Sequence, residues 1–130
     1  MTAINFKKEV NLAPEEAVTK ITPLLQKVGF GILTRIDFHL KMKEKLGKDI
    51  PPVIILGACN PQLAFDAYQV MTDITSLIPC NVVIREIKPG RVSVEIAKAS
   101  SMMQILGDSS LLSPAKNADE ALLSALNQLS

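Results

Sequence analysis

"VIILGACNPQLAFDAYQVMTDITSLIPCNVVIREI", Val53 to Ile87, holds both cysteines of the chain, and asparagine follows each of them. Val53-Ile54-Ile55-Leu56 is apolar on both faces and short, which predicts a buried strand. Asn60-Pro61 then signals a helix. Asparagine caps, and proline suits the first helical position because its missing N–H has no partner there anyway. The helix is expected from Pro61 to about Met71, with Ala64, Ala67, Tyr68 and Met71 on one face. A loop carrying Ile74, Leu77 and Ile78 should end at Pro79. Val82 to Ile87 alternates and reads as a second strand. Strand, helix, loop and strand in this order bring Cys59-Asn60 and Cys80-Asn81 to one edge of a sheet.

The pattern extends in both directions. Arg91 to Ala97 alternates again, and Pro89-Gly90 supplies the turn of a hairpin. Upstream, Ile4, Phe6, Val10 and Leu12 mark a first strand, interrupted by Lys8 on its apolar side. Pro14 opens a helix lined by Ala17, Ile21, Leu24, Leu25 and Val28. Pro23 removes a backbone donor inside it, so a kink near Thr19 or a helix in two pieces is expected. Gly29 is a natural stop. Gly29 to His39 reads as a strand with Leu33, Arg35, Asp37 and His39 on one face. Leu40 to Leu46 is a short helix closed by Gly47, with Asp37 placed to cap it. Pro51-Pro52 is a rigid connection. Ser100 and Ser101 suit the start of a helix through Met102, Met103, Ile105 and Leu106. Ser113 and Pro114 suit the start of a last helix, lined by Ala118, Leu122, Ala125, Leu126 and Leu129. No repeat or linker divides the chain, so residues 1–130 are read as one domain.

Composition narrows the function. Apolar residues make up 48% of 130 residues but aromatics only 4%, so the core must be aliphatic. Formal charge is +1, without the basic excess of an electrostatic nucleic-acid binder. "KMKEKLGK", Lys41 to Lys48, is interrupted by Glu44 and reads as a solvated helix face. "MTAINFKKEV" has no apolar stretch of the kind that opens a signal peptide. Val53 to Cys59 is too short to cross a bilayer. The expectation is therefore a cytoplasmic protein without membrane or nucleic-acid partners, its two cysteines free thiols.

At "GFGILTRID", "KLG", "ILGACNP", "IPCNVV" and "SMM" the sequence resembles the domain-of-unknown-function 302 family, over nearly the whole chain. The resemblance implies an α+β two-layer sandwich. Its sheet would be curved, largely antiparallel and of about five strands, packed by helices as in the TATA-box-binding fold. It also implies a homodimer, and it brings no settled activity and no cofactor. The family often carries Asp-Pro before the paired methionines; here that stretch is "AKASSMM", Ala97 to Met103. His39 lies where the family has no consistent histidine.

The candidate site follows from Cys59. Ending a buried strand just before a capping asparagine, its sulfur should lie at the positive end of the Pro61 helix, which lowers a thiol pKa. Cys80 opens an apolar strand, where burial should raise it. Two thiols and two carboxamides converging there suit a soft metal, a persulfide or a small polar ligand. Leu56, Cys59, Asn60, Tyr68, Cys80 and Asn81 are the expected lining of a site for a small apolar or sulfur-reactive ligand. Cys59 and Cys80 are the candidate catalytic pair of the alternative, a thiol enzyme or sulfur carrier. A third reading makes both cysteines inert packing in an interaction protein. Two cysteines and one histidine are too few for a closed metal site, and Met71, Met102 and Met103 sit at core-like helical spacing. A Cys–His pair would need His39 nearby, and Asp37 with His39 would make a base and its orienter. The Ile74–Ile78 loop and Met102-Met103 look too apolar for a monomer surface, which points to a dimer contact.

Overall fold

The computed structural model describes residues 4–130; the first three residues of the stretch read as lacking a leader lie outside them. Five strands form one antiparallel sheet in the order β1-β5-β4-β3-β2. They are β1 (Asn5–Val10), β2 (Gly31–Asp37), β3 (Val53–Cys59), β4 (Cys80–Lys88) and β5 (Arg91–Ala97). The helices are α1 (Pro14–Lys27), α2 (Phe38–Leu46), α3 (Pro61–Val70), α4 (Ala99–Leu106) and α5 (Leu112–Asn127). The result is the α+β sandwich that the family resemblance implies. Among the described residues no helix is long and apolar enough to cross a membrane.

Register explains which face is buried. Leu56 lies opposite Val82 and Val82 opposite Ile96; Ile54 lies opposite Ile84 and Ile84 opposite Val94. Successive side chains point to opposite faces, so these residues form one apolar surface. Ile21 and Leu25 of α1 and Leu122, Ala125 and Leu126 of α5 pack on it and are fully buried. The other face is polar around Ser93 and Glu95. Glu95 Oε2 accepts from Arg85 Nη2 at 2.5 Å and from Ser93 Oγ at 2.9 Å. Burial pushes the Glu95 carboxyl up, but these hydrogen bonds and the Arg85 and Lys7 charges together hold it below its ordinary value.

Helix ends depart from the sequence reading in instructive ways. α1 runs unbroken through Pro23. Pro23 and Thr19 both face solvent, so the carbonyl that loses its donor is within reach of water and no break is forced. Gly29 stops the helix at φ 91°, and the Phe30 N–H bonds back to the Leu25 carbonyl at 2.9 Å. Asp37 stands at the start of α2 but accepts no capping bond. Its carboxylate takes the Arg35 guanidinium instead, at 3.0 Å, and Arg35 also pairs with Glu15. A charged fork two residues away outcompetes a backbone N–H. α4 begins before Ser100, and its first turn is served from afar: the Ser100 N–H donates to Asp119 Oδ1 of α5 at 3.2 Å. α5 starts at Leu112, before Ser113, after a 3₁₀ turn at Ser109–Leu111 capped by Asp108.

The surface also differs. The segment expected as a loop is a 3₁₀ helix, Thr72–Leu77, whose Ile74 is buried with Ala67 and Leu111. Met103 packs on that cluster. Neither apolar segment is therefore the surface patch its composition suggests. Uncovered apolar side chains are spread over several elements: α2 buries no residue and exposes Leu40 and Leu46 at 57% and 63%, and Phe65 of α3 and Ile105 of α4 are exposed at 60% and 74%.

Candidate functional site

Six alanines decide where the space lies. Ala58 of β3, Ala64 and Ala67 of α3, Ala99 of α4, and Ala115 and Ala118 of α5 face one another beyond the end of β3. Larger side chains there would close the gap; methyl groups leave a cavity of ≈ 70 Å³. About 10–15 Å³ of such space suffices for one water, so several non-hydrogen atoms fit. Phe30, Leu63, Ile74, Ile78 and Met103 complete an apolar wall. Cys59, Asn60 and Cys80 are its polarisable and polar exceptions.

Asn60 caps α3 as the sequence predicts. Its Oδ1 accepts from the Leu63 N–H at 3.1 Å. The amide nitrogen lies over Gly29, where a Cβ would stand only 2.8 Å from Nδ2. Gly29 therefore serves both the helix stop and the close approach of the cap. Gly57 is similarly confined: a Cβ there would meet Pro79 Cγ at 2.6 Å.

The two Cys-Asn dipeptides stand on neighbouring strands. Cys80 opens β4 opposite Ala58, and Cys59 is one step further along β3. Both are free cysteines, and both residues border the same cavity. Their asparagines part company. Asn81 lies opposite Gly57, is exposed, and does not line the cavity. Leu56 does not line it either, being 1% exposed in the sheet core. Tyr68 is 44% exposed. It follows Ala67 by one residue, about 100° around the helix, and the α3 residues that face the cavity are Leu63, Ala64 and Ala67. Of the six lining residues expected, Cys59, Asn60 and Cys80 come together, while Leu56, Tyr68 and Asn81 stay outside.

Electrostatics revises the expected thiol chemistry. Burial raises the Cys59 thiol above its ordinary value, the opposite of the expected direction. Burial, then the charge of Cys59, then that of Asp119, push Cys80 up to about 11. Both are neutral thiols near pH 7. His39 cannot activate either. Its Nδ1 accepts from the Val53 N–H at 3.1 Å, at the opposite end of β3 from Cys59. Nor is it oriented by Asp37, which is held by Arg35. Among the described residues no group of three or more His, Cys, Asp or Glu could hold a metal.

Residues 6–129 match the family described as "Domain of unknown function DUF302". The chain belongs to the DUF302 family. It is also similar to a solved structure, the crystal structure of uncharacterized conserved protein DUF302 from Bacillus stearothermophilus. The TM-score is 0.91 at 23% identity, over 99% of this chain and 100% of that one. At that identity the likeness establishes a shared fold. No curated protein matches the chain. Sequence reasoning about this DUF302 chain placed Ala64, Ala67 and Ala118 on apolar helix faces but did not assign them to the site, although Ala64 with Ala67 and Ala115 with Ala118 stand at helical i, i+3 spacing.

Proposed function

We propose that the chain is a binding module for a small apolar ligand, held in the alanine-lined cavity with Asn60, Cys59 and Cys80 at its polar side. One observation carries this reading: three helices and a strand end turn alanine, the smallest apolar side chain, toward a common point. Packed interiors rarely leave such space, and an apolar cavity stays dry and takes apolar guests. The thiol-enzyme alternative needs a thiolate near pH 7, and burial favours the neutral thiol at both cysteines. Xenon and benzene are suitable probes. Chemical-shift changes on titration are expected at the methyls of Ala64, Ala67, Ala115 and Ala118, and Ala118→Leu should abolish them by filling the space. Shifts that survive Ala118→Leu, or none in the unmodified protein, would refute the reading.

A homodimer is the second element of the proposal. It is supported by α2, which buries no residue and leaves Leu40 and Leu46 exposed; exposed apolar surface of that kind marks subunit contacts. Light scattering at micromolar concentration should give twice the chain mass, and Leu40→Lys with Leu46→Lys should halve it. A monomer mass for the unmodified protein counts against dimerisation alone.

A further inference from the structure

The sheet face turned away from α1 and α5 carries a cluster of charges that strand register assembles. Glu9 of β1 and Arg85 of β4 both lie opposite Ser93 of β5, and Lys7 lies opposite Glu95. All five side chains share one face, because residues two apart on a strand point the same way. Ser93 and Glu95 are only 5% and 9% exposed. Arg85 Nη2 and Ser93 Oγ both donate to Glu95 Oε2, at 2.5 and 2.9 Å. Nearby, Arg91 Nε donates to Glu9 Oε1 at 3.1 Å and its Nη1 to Asn11 Oδ1 at 2.6 Å. Lys7, Arg85, Arg91 and Ile87 border an open cleft of ≈ 650 Å³ with Ser93 and Glu9. Lys8 turns to the other face, where its Nζ donates to the Asn127 carbonyl at 3.0 Å.

A guanidinium has five N–H donors. Arg85 spends one on its neighbours and Arg91 two, so most of each fork stays free for an acceptor. The bonds already made hold both forks in place, which lowers the ordering cost of binding. Three cations, Lys7, Arg85 and Arg91, stand against two carboxylates, Glu9 and Glu95, and leave one positive charge. We propose that this cleft binds the carboxylate of a small organic acid between Arg85 and Arg91. A carboxylate matches a planar fork and carries the one negative charge the cluster lacks. Ile87, 44% exposed on the same cleft, gives the apolar body of the acid a contact. The site lies on the opposite side of the sheet from the helix-covered face and does not depend on the alanine-lined cavity.

The test titrates the full chain with phenylacetate by calorimetry at low ionic strength. One site per chain is expected, with affinity falling as salt is added. Phenylacetamide, the neutral analogue, should bind at least about tenfold more weakly, the worth of charge-assisted hydrogen bonds. Acetate should lose about threefold for want of the ring, and inorganic phosphate should bind more weakly than phenylacetate. Arg85→Gln alone would leave Glu95 without its partner, so the variants are Arg91→Gln and the pair Arg85→Gln with Glu95→Gln. Each should weaken phenylacetate by at least about fivefold. Lys45→Gln, an exposed lysine of α2 outside the cleft, should change nothing. Circular dichroism checks that each variant is folded, and Arg91→Gln, whose partners Glu9 and Asn11 are exposed, decides the matter if the paired variant is not. Absence of phenylacetate binding would overturn the proposal. So would equal binding of phenylacetamide, acetate or phosphate, or a loss on Lys45→Gln as large as on Arg91→Gln.

Discussion

Truncating Leu56 to alanine is expected to destabilise the protein by about 2–5 kcal/mol, the range for removing a fully buried leucine when the surroundings only partly collapse. Leu56 is in β3, which lies between β4 and β2 in the sheet. Its side chain points with Ile54 and Ala58 into the helix-covered face and is 1% exposed. Both sheet neighbours fix it. Val82 lies opposite on β4 and Arg35 opposite on β2, so a backbone shift that refilled the gap would disturb both ladders. Urea unfolding should show a lower midpoint with an unchanged denaturant slope, because the folded and unfolded surfaces stay nearly the same. A cost below about 1 kcal/mol would place Leu56 outside the packed core and return it to the ligand-lining role its sequence position suggests.

Leu56 illustrates what periodicity reveals and what it leaves open. The strands were legible because the Val, Ile and Leu positions of β3, β4 and β5 leave no alternative to burial. Asn60-Pro61 was legible because capping is local chemistry, and Asn60 does bond the Leu63 N–H. Failures occur where a distant residue decides the outcome. Asp37 is a good cap in isolation, but Arg35 and Glu15 draw it into an ion-pair network. Ser100 reads as a helix start by itself, but its N–H is satisfied by Asp119, nineteen residues on. Pro23 is tolerated because its turn faces water, a fact about tertiary placement. The cavity was only partly legible for a related reason: beside Cys59, Asn60 and Cys80 its wall is largely alanine, which carries no chemistry of its own. Tyr68 and Asn81 are chemically attractive and lie outside it.

Raising the pH through the interval from about 9 to about 11 is expected to remove roughly 2–3 kcal/mol of stability through Cys80 alone. The ordinary cysteine value is 9.0, and burial, with the charges of Cys59 and Asp119, pushes the folded-state thiol up to about 11. Below pH 9 the thiol is neutral in both states, so it contributes no pH dependence. Between the two values the unfolded chain ionises and the folded chain does not, so the unfolded state gains. Above 11 both are thiolates and the penalty is constant. Two units of difference at about 1.4 kcal/mol each set the size. Other groups that ionise at alkaline pH contribute equally in a Cys80→Ala variant. The measurement is therefore the difference between the two proteins' unfolding free energies at pH 8 and at pH 11, under a phosphine reductant. The gap should move by 2–3 kcal/mol in favour of the variant. Parallel pH profiles would mean that Cys80 titrates like a free thiol. That result would also reopen thiol catalysis, because a sulfur that ionises freely beside Ala58 is available to attack a substrate. A thiol held neutral to alkaline pH is instead part of a cavity wall, like the alanines around it.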